Sequence, residues 1–249
     1  MKKALILAAG VGKRLGELTK DTPKCLLPID KSTILDFSLQ ALKDNGINEI
    51  VFITGFAHEK LANHIRCQWS NTFYFQFIFN DKYSTYNNIY SAYLAKEIWD
   101  DETILLNSDI IFHPDILSNL ILSKDDKSYL VIDDKKELIE EDMKVQVTSS
   151  NEIKKISKHL NNKTSLGEYI GMMYLRGVER VTFLESLEKN IKSKNWDFYY
   201  EDALDNILNK IKVYPCSTLG NPWTEVDTFQ DYKHAIEIAN EIRKVPVKQ

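Results

Sequence analysis

A three-layer α/β/α fold built on a mostly parallel, mixed, Rossmann-like sheet is what the sequence predicts. Short apolar runs recur along the first half of the chain, at residues 4–9 (ALILAA), 49–55 (EIVFITG) and 103–111 (TILLNSDII). Runs of that length without strict alternation suit strands buried on both faces. Between them lie segments whose apolar residues are spaced as in helices, joined by short connections. Such alternation implies parallel strands with helices on both faces. At 249 residues, with 43% hydrophobic and 27% charged residues, the chain is long enough for one substantial core.

The elements follow in order. Residues 4–9 form a first strand that opens at a glycine. Residues 34–44 (ILDFSLQALKD) space their apolar positions helically, and Asn45-Gly46 ends them. A second buried strand at 49–55 stops at Gly55, a helix follows over 58–67, and 73–80 (FYFQFIFN) is strand-like. The pattern predicts a helix over 87–98 and one strand over 103–111 that turns polar at its carboxyl end. Pro114 starts a short helix, and 128–133 (SYLVID) is the next strand. The second half changes character. Residues 143–157 predict a β-hairpin turning at Ser149-Ser150-Asn151, and 168–175 is a further extended piece. Helices are predicted over 178–193 and 200–210, a strand over 212–216, and a terminal helix over 229–243. We read one domain over 1–249, in three stretches (1–135, 136–215 and 216–249), whose later part builds a lid or substrate wall.

Composition narrows the function. A net charge of −4 and the lack of a basic stripe give no electrostatic pull toward nucleic acid. No apolar run spans a bilayer, and the apolar stretch behind "MKK" stops at glycine, unlike a secretory signal. The three cysteines (Cys25, Cys67, Cys216) lie far apart without metal spacing, which suits a reducing compartment. The five histidines show no metal-binding pairing. The expectation is a cytoplasmic protein that handles small molecules, with neither nucleic acid nor membrane as partner; a homodimer is compatible with this.

Three of only nine glycines crowd into seven positions, Gly10, Gly12 and Gly16, beside Lys13 and Arg14. A strand entering such a loop puts adaptable backbone at the carboxyl edge of the sheet, where open α/β folds bind ligands. There, N–H groups can converge on a phosphate, and Arg14 and Lys24 can add charge-assisted bonds. A tight turn with solvated basic residues is the plain alternative. The Walker pattern is absent, because Glu17 follows Gly16. The dinucleotide fingerprint fails, because Leu15 stands at its third glycine.

The stretch "LAAGVGKRL" (7–15) followed by "TPKCLLPI" (22–29) resembles the signature of nucleotidyltransferases that activate sugar phosphates and alcohol phosphates. "GINEIVFITGF" (46–56), "FNDKYSTYNNIYSAYLAK" (79–96), "NSDI" (107–110) and "TEVDTFQDY" (224–232) continue the resemblance in order. The 79–96 segment is similar to that typical of phosphocholine cytidylyltransferases and their close relatives, and the chain as a whole resembles phosphocholine-type and phosphonate cytidylyltransferases. The resemblance implies a reaction in which a phosphate or phosphonate oxygen attacks the α-phosphorus of a nucleoside triphosphate and pyrophosphate leaves. The nucleophile is already an anion, so no general base is required; positioning and charge neutralisation carry the catalysis.

Asp109 and Asp227 are then the expected Mg²⁺ ligands, although in isolation either reads equally as a strand-end or capping aspartate. Glu225 is a further possible ligand or support. Lys24 is expected to bridge the α-phosphate and the incoming phosphate, with Arg14 completing the catalytic set. The backbone of Gly10, Val11, Gly12 and Lys13 would hold the β- and γ-phosphates. Backbone near Leu7, Ala8 and Ala9, with Gly55, would read the base, and Asn80, Tyr86, Asn87 and Asn88 would complete the nucleotide site; Asn-Asn is also a common turn and capping pair. CTP is the nucleotide implied by "YNNIYS". For the acceptor, Lys144, Lys158, Glu168, Tyr174 and Glu201 are the candidates the resemblance suggests; Lys144, Lys158 and Glu168 also read as surface charges on a hairpin, and Tyr174 joins the aromatic run that follows. The aromatic run 196–202 (WDFYYED) offers a box for an amine or simply core. The function expected is Mg²⁺-dependent transfer of CMP from CTP to a small phosphorylated alcohol or phosphonate, serving a surface polymer or phosphonate product. A sugar-1-phosphate enzyme using UTP, dTTP or GTP, and a non-catalytic nucleotide-binding subunit, are the competing expectations.

Overall fold

The computed structural model describes residues 2–122 and 126–244. Thirteen strands and seven α-helices occupy them: β1 Lys3–Ala8, β2 Pro28–Ile29, β3 Ser32–Thr33, α1 Ile34–Asp44, β4 Glu49–Thr54, α2 His58–Trp69, β5 Tyr74–Phe79, α3 Asn88–Leu94, β6 Thr103–Asn107, β7 Ile110–Phe112, α4 Pro114–Leu122, β8 Ser128–Asp133, β9 Lys144–Val147, β10 Ile153–Ser157, β11 Gly167–Tyr174, α5 Gly177–Lys192, α6 Tyr200–Asp205, β12 Val213–Ser217, β13 Trp223–Glu225 and α7 Phe229–Lys244. Nine strands form one mixed sheet in the order β10-β9-β11-β6-β1-β4-β5, with β8 pairing β11 and β12. Strands β6, β1, β4 and β5 make a parallel block. Strand β11 runs antiparallel to β6, β8 and β9.

Alternation along the parallel strands feeds two cores. Ala4, Ile6, Ile50, Phe52, Ile104 and Leu106 face one side, with Leu35 and Leu39 of α1, Leu61 of α2 and Leu117 of α4. Leu5, Leu7, Val51, Ile53 and Leu105 face the other, with Ile89 of α3, Phe183 of α5 and Leu204 of α6. Helices cover both faces of the sheet, as predicted. Helix α7 packs a third cluster, setting Ala235, Ile238 and Ala239 against Leu15, Ile29, Ile111 and Val226.

Local chemistry explains the boundaries. Helix α1 starts at a reciprocal capping box between Thr33 and Asp36. Asp36 also binds His64 and Trp69 of α2, each at 2.8 Å. Burial opposes ionisation of Asp36, but the bonds from His64 and Trp69 prevail and hold its pKa below the usual value.

The structure corrects three predicted boundaries. The helix expected over 87–98 ends at Leu94, where bonds such as Lys96 N–H to Tyr93 O and Ile98 N–H to Ala95 O tighten the chain into three-residue turns. The helix expected over 200–210 ends at Asp205 for the same reason, with Ile207 N–H bonding Leu204 O and Lys210 N–H bonding Ile207 O. The single strand expected over 103–111 breaks at Ser108-Asp109: β6 stays in the main sheet, whereas β7 leaves it to pair with β13.

Candidate active site

The carboxyl ends of the parallel strands open together. Ala8 of β1 stands opposite Thr54 of β4, and Leu7 opposite Asn107 of β6. Segments that leave β1, β5 and β6 line a cleft of about 560 Å³. From β1 comes the glycine loop. Gly12 has φ +68°, and a Cβ there would lie 3.1 Å from Lys24 Cβ and 3.3 Å from Thr19 Cγ2. Only glycine fits that turn without strain, and the close approach is what seats Lys24. Gly10 differs, since a Cβ there would meet nothing within 4 Å. Its lack of a side chain leaves open space over the cleft that the fold itself does not use.

The break after β6 brings the acidic residues together. Glu225 lies opposite Ile110 across the β7–β13 pair, and Val226 N–H donates to Asp109 O at 2.9 Å. The next residue, Asp227, is fixed by Asp231, whose carboxylate accepts from the N–H groups of Asp227 (3.1 Å) and Thr228 (2.7 Å) at the start of α7. Carboxylate oxygens of Asp109, Glu225 and Asp227 therefore lie within 4.8 Å of one another. Lys24 Nζ reaches Asp109 Oδ2 at 2.6 Å and Asp227 Oδ1 at 2.5 Å, and Arg14 pairs with the other oxygen of Asp227.

This crowding sets the protonation. Burial works against the Lys24 ammonium, but Asp109 and Asp227 overcome it and raise its pKa. Burial also works against Asp227 ionisation, and Lys24 and Arg14 reverse the balance to hold its carboxyl below the usual range. Burial, with Asp109 and Asp227 adding like charge, pushes Glu225 well above it. Asp109 Oδ1 is buried without a hydrogen-bond partner. An orphaned oxygen beside two further carboxylates is a donor set suited to a hard divalent cation. Cys25 also lines the cleft, but burial pushes its thiol up to about 12, so it offers no thiolate nucleophile.

Leu7, Ala8, Ala9, Gly10, Val11, Gly12, Lys13, Arg14, Lys24, Asn80, Tyr86, Asn87, Asn88, Asp109, Lys158, Glu201 and Asp227 all line the cleft. The asparagines also have structural work. Asn80 Nδ2 donates to Ser91 Oγ and its Oδ1 accepts from Lys82 N–H. Asn87 caps α3 and donates to Asp197 O, and Asn88 Oδ1 accepts from Tyr200 N–H. They tie α3 to the aromatic run, where Tyr86 stacks on Trp196 at 4.6 Å.

Four expected site residues fall elsewhere. Gly55 is not on the cleft wall: a Cβ there would lie 2.5 Å from Tyr83 Cβ and 2.8 Å from Ala9 O, so its lack of a side chain permits Tyr83 and the Ala9 carbonyl to pack closely against it. Lys144 is buried, and its Nζ donates to the carbonyls of Ile139, Glu140 and Asp142, which fixes the loop before β9. Glu168 is buried against Lys136 at 2.5 Å; burial outweighs that ammonium and pushes its carboxyl up to about 7. Tyr174 lies at the opposite end of β11 and donates to Asp101 O. Conversely, Asn107, Tyr169 and Gly171 on the cleft wall were not anticipated. Gly171 has φ +80°, and a Cβ would come within 2.5 Å of Asn107 Nδ2. It sits where the register between β11 and β8 shifts, and no sequence signal beyond a glycine inside a strand pointed there.

Among the described residues, no helix is long and apolar enough to cross a membrane. The chain is similar along nearly its whole length to a CTP:phosphoglutamine cytidylyltransferase of Campylobacter jejuni, at 29% identity over 94% of this chain and 99% of the relative. It is similar to a choline-phosphate cytidylyltransferase of Streptococcus pneumoniae, at 28% identity over 95% of this chain and 97% of the relative. In fold it matches an inositol-1-phosphate CTP transferase of T. maritima, with a TM-score of 0.81 and 21% identity over 100% of this chain and 98% of the other. Residues 3–171 match the family model described as nucleotidyl transferase, and the chain belongs to that enzyme family.

Proposed function

We propose that the protein transfers the cytidylyl group of CTP to a small phosphorylated alcohol or phosphonate and releases pyrophosphate. The observation that carries this reading is the meeting of Lys24 with Asp109 and Asp227 at the mouth of the glycine loop, in the same cleft as Asn87 and Asn88. The choice of CTP is supported by near full-length similarity to relatives named as cytidylyltransferases.

In this reading an oxygen of the acceptor phosphate attacks the α-phosphorus. One P–O bond forms, the bond to the β-phosphate bridging oxygen breaks, and its electron pair leaves with pyrophosphate. No proton need be taken from the nucleophile. Two anions must approach each other, so positively charged groups and convergent N–H donors provide the rate. The backbone from Gly10 to Lys13 and the Arg14 guanidinium hold the leaving phosphates. Lys24 stands between that loop and the carboxylates, where its ammonium can contact both the α-phosphoryl oxygens and the incoming oxygen. Asp109 and Asp227, with Glu225 beside them, would hold Mg²⁺, which when bound neutralises phosphate charge.

The test is pyrophosphate release with CTP, UTP, dTTP, GTP and ATP, each against phosphorylated alcohols, phosphonates and sugar 1-phosphates, with Mg²⁺. Turnover dependent on CTP and a phosphorylated alcohol or phosphonate is expected. Turnover confined to a sugar 1-phosphate with another nucleotide would replace the proposal.

A further inference from the structure

Glu201 of α6, Asp197 and Tyr199 before it, and Met143 and Lys158 on either side of the β9–β10 hairpin line the cleft. Glu201, the second residue of α6, is only 5% exposed and lines the cleft. Asn88 and Tyr200 lie beside its carboxyl, yet its Oε2 has no hydrogen-bond partner. A buried acceptor left unpaired is costly, and such an atom on a cleft wall is a place for a ligand donor.

The aromatic rings nearby do not form an open cage. The face of Tyr199 carries the ammonium of Lys158, 5.5 Å from the ring centroid. Tyr86 has one face against Trp196, their planes 13° apart. Tyr169 hydrogen-bonds Tyr200 through its hydroxyl and meets that ring edge-on. A quaternary ammonium donates no hydrogen bond and is held by open ring faces. Here one such face already has a cation and another is covered.

We propose, building on the cytidylyltransferase reading, that the acceptor carries an N–H or O–H donor that binds Glu201 Oε2, and that the site selects against quaternary ammonium acceptors. Lys158 acts in the same discrimination by occupying Tyr199.

The test uses one graded series. Phosphoethanolamine, its mono- and dimethyl derivatives and phosphocholine present three, two, one and no N–H donors on one carbon chain. Turnover with CTP is measured for each, alongside calorimetric binding of the four corresponding CDP-products to the whole protein. The expected result is at least a tenfold preference for the donor-bearing compounds over the quaternary one, with the sharpest drop at the last methyl. Glu201→Leu, checked for folding by its thermal melt, should bring the binding ratio toward one. Lys158→Met should shift it toward the quaternary product by freeing Tyr199. The wild-type series needs no variant: a product-binding ratio near one, or one favouring choline, overturns the inference. CTP turnover that prefers phosphocholine overturns the inference alone. Turnover with another nucleotide and none with CTP overturns the cytidylyltransferase reading and the inference together.

Discussion

Replacing Lys24 by methionine keeps most of the buried stem and removes an ammonium that lies 2.6 Å from Asp109 and 2.5 Å from Asp227, with only 13% of the side chain exposed. Two effects follow. In the absence of divalent cation, Asp109, Glu225 and Asp227 face one another with Arg14, itself half exposed, as the remaining cation recorded against them. Removing one partner of a buried ion pair costs about 3–5 kcal/mol. The carboxylates can still take up a proton, so the lower end, about 3 kcal/mol, is expected from urea unfolding at pH 7. Added Mg²⁺ should restore much of that loss, more in the variant than in the wild type.

The second effect is on rate. A charged donor aimed at developing charge is worth about 2.7–4 kcal/mol, or roughly 10²–10³ in kcat. Steady-state kinetics should show kcat falling by about that factor while the KM for CTP changes far less, the signature of an interaction strengthened in the transition state. An unchanged kcat with a raised KM would refute the role given to Lys24. Unchanged stability without Mg²⁺ would refute the charge argument beneath it.

Asp36→Ala removes the carboxylate half of the α1 capping box, the acceptor of Thr33 N–H, and leaves His64 and Trp69 without theirs; about 2 kcal/mol of stability should go, lowering Tm by about 4–8 °C. Because its folded pKa lies below 3.8, that contribution is present above the unfolded value and lost as pH falls through the folded one, so melts of wild type and variant should converge in acid. Glu201 behaves oppositely: burial pushes its carboxyl from 4.5 up to about 7, the folded state holds the extra proton between those values, and stability falls as pH rises through that window. Glu201→Gln should therefore be more stable than wild type at pH 8, by at most about 3 kcal/mol, with the advantage shrinking by pH 5. Gly12→Ala forces a β-carbon into a left-handed turn against Lys24; about 1–2 kcal/mol of lost stability should accompany a rate loss larger than that of an Ala placed at the open Gly10.

The parallel half of the fold was legible because buried strands and amphipathic helices write their periods into the sequence. The glycine loop was legible because so few glycines occur elsewhere. The junction at Ser108-Asp109 was not. It depends on a three-residue strand, β13, pairing more than a hundred residues away, and nothing in "WTE" marks a partner for "IIF". Lys144 shows the limit on charged residues: the resemblance of "MKV" to cytidylyltransferase elements suggested a phosphate contact, whereas three backbone carbonyls satisfy it in the interior. Tyr174 reads from the sequence as an aromatic partner for an amine beside the 196–202 run, yet the length of β11 carries it to the strand's other end, where it donates to Asp101 O.

The account rests on Asp109 and Asp227 working as a pair on one cation beside Lys24. Its most direct test is pyrophosphate release from CTP by Asp109→Asn and Asp227→Asn, each at saturating Mg²⁺ with the thermal melt as a folding control. The account predicts a loss of roughly 10³ or more in each with a native-like melt. Turnover within a few-fold of wild type in both variants would contradict it.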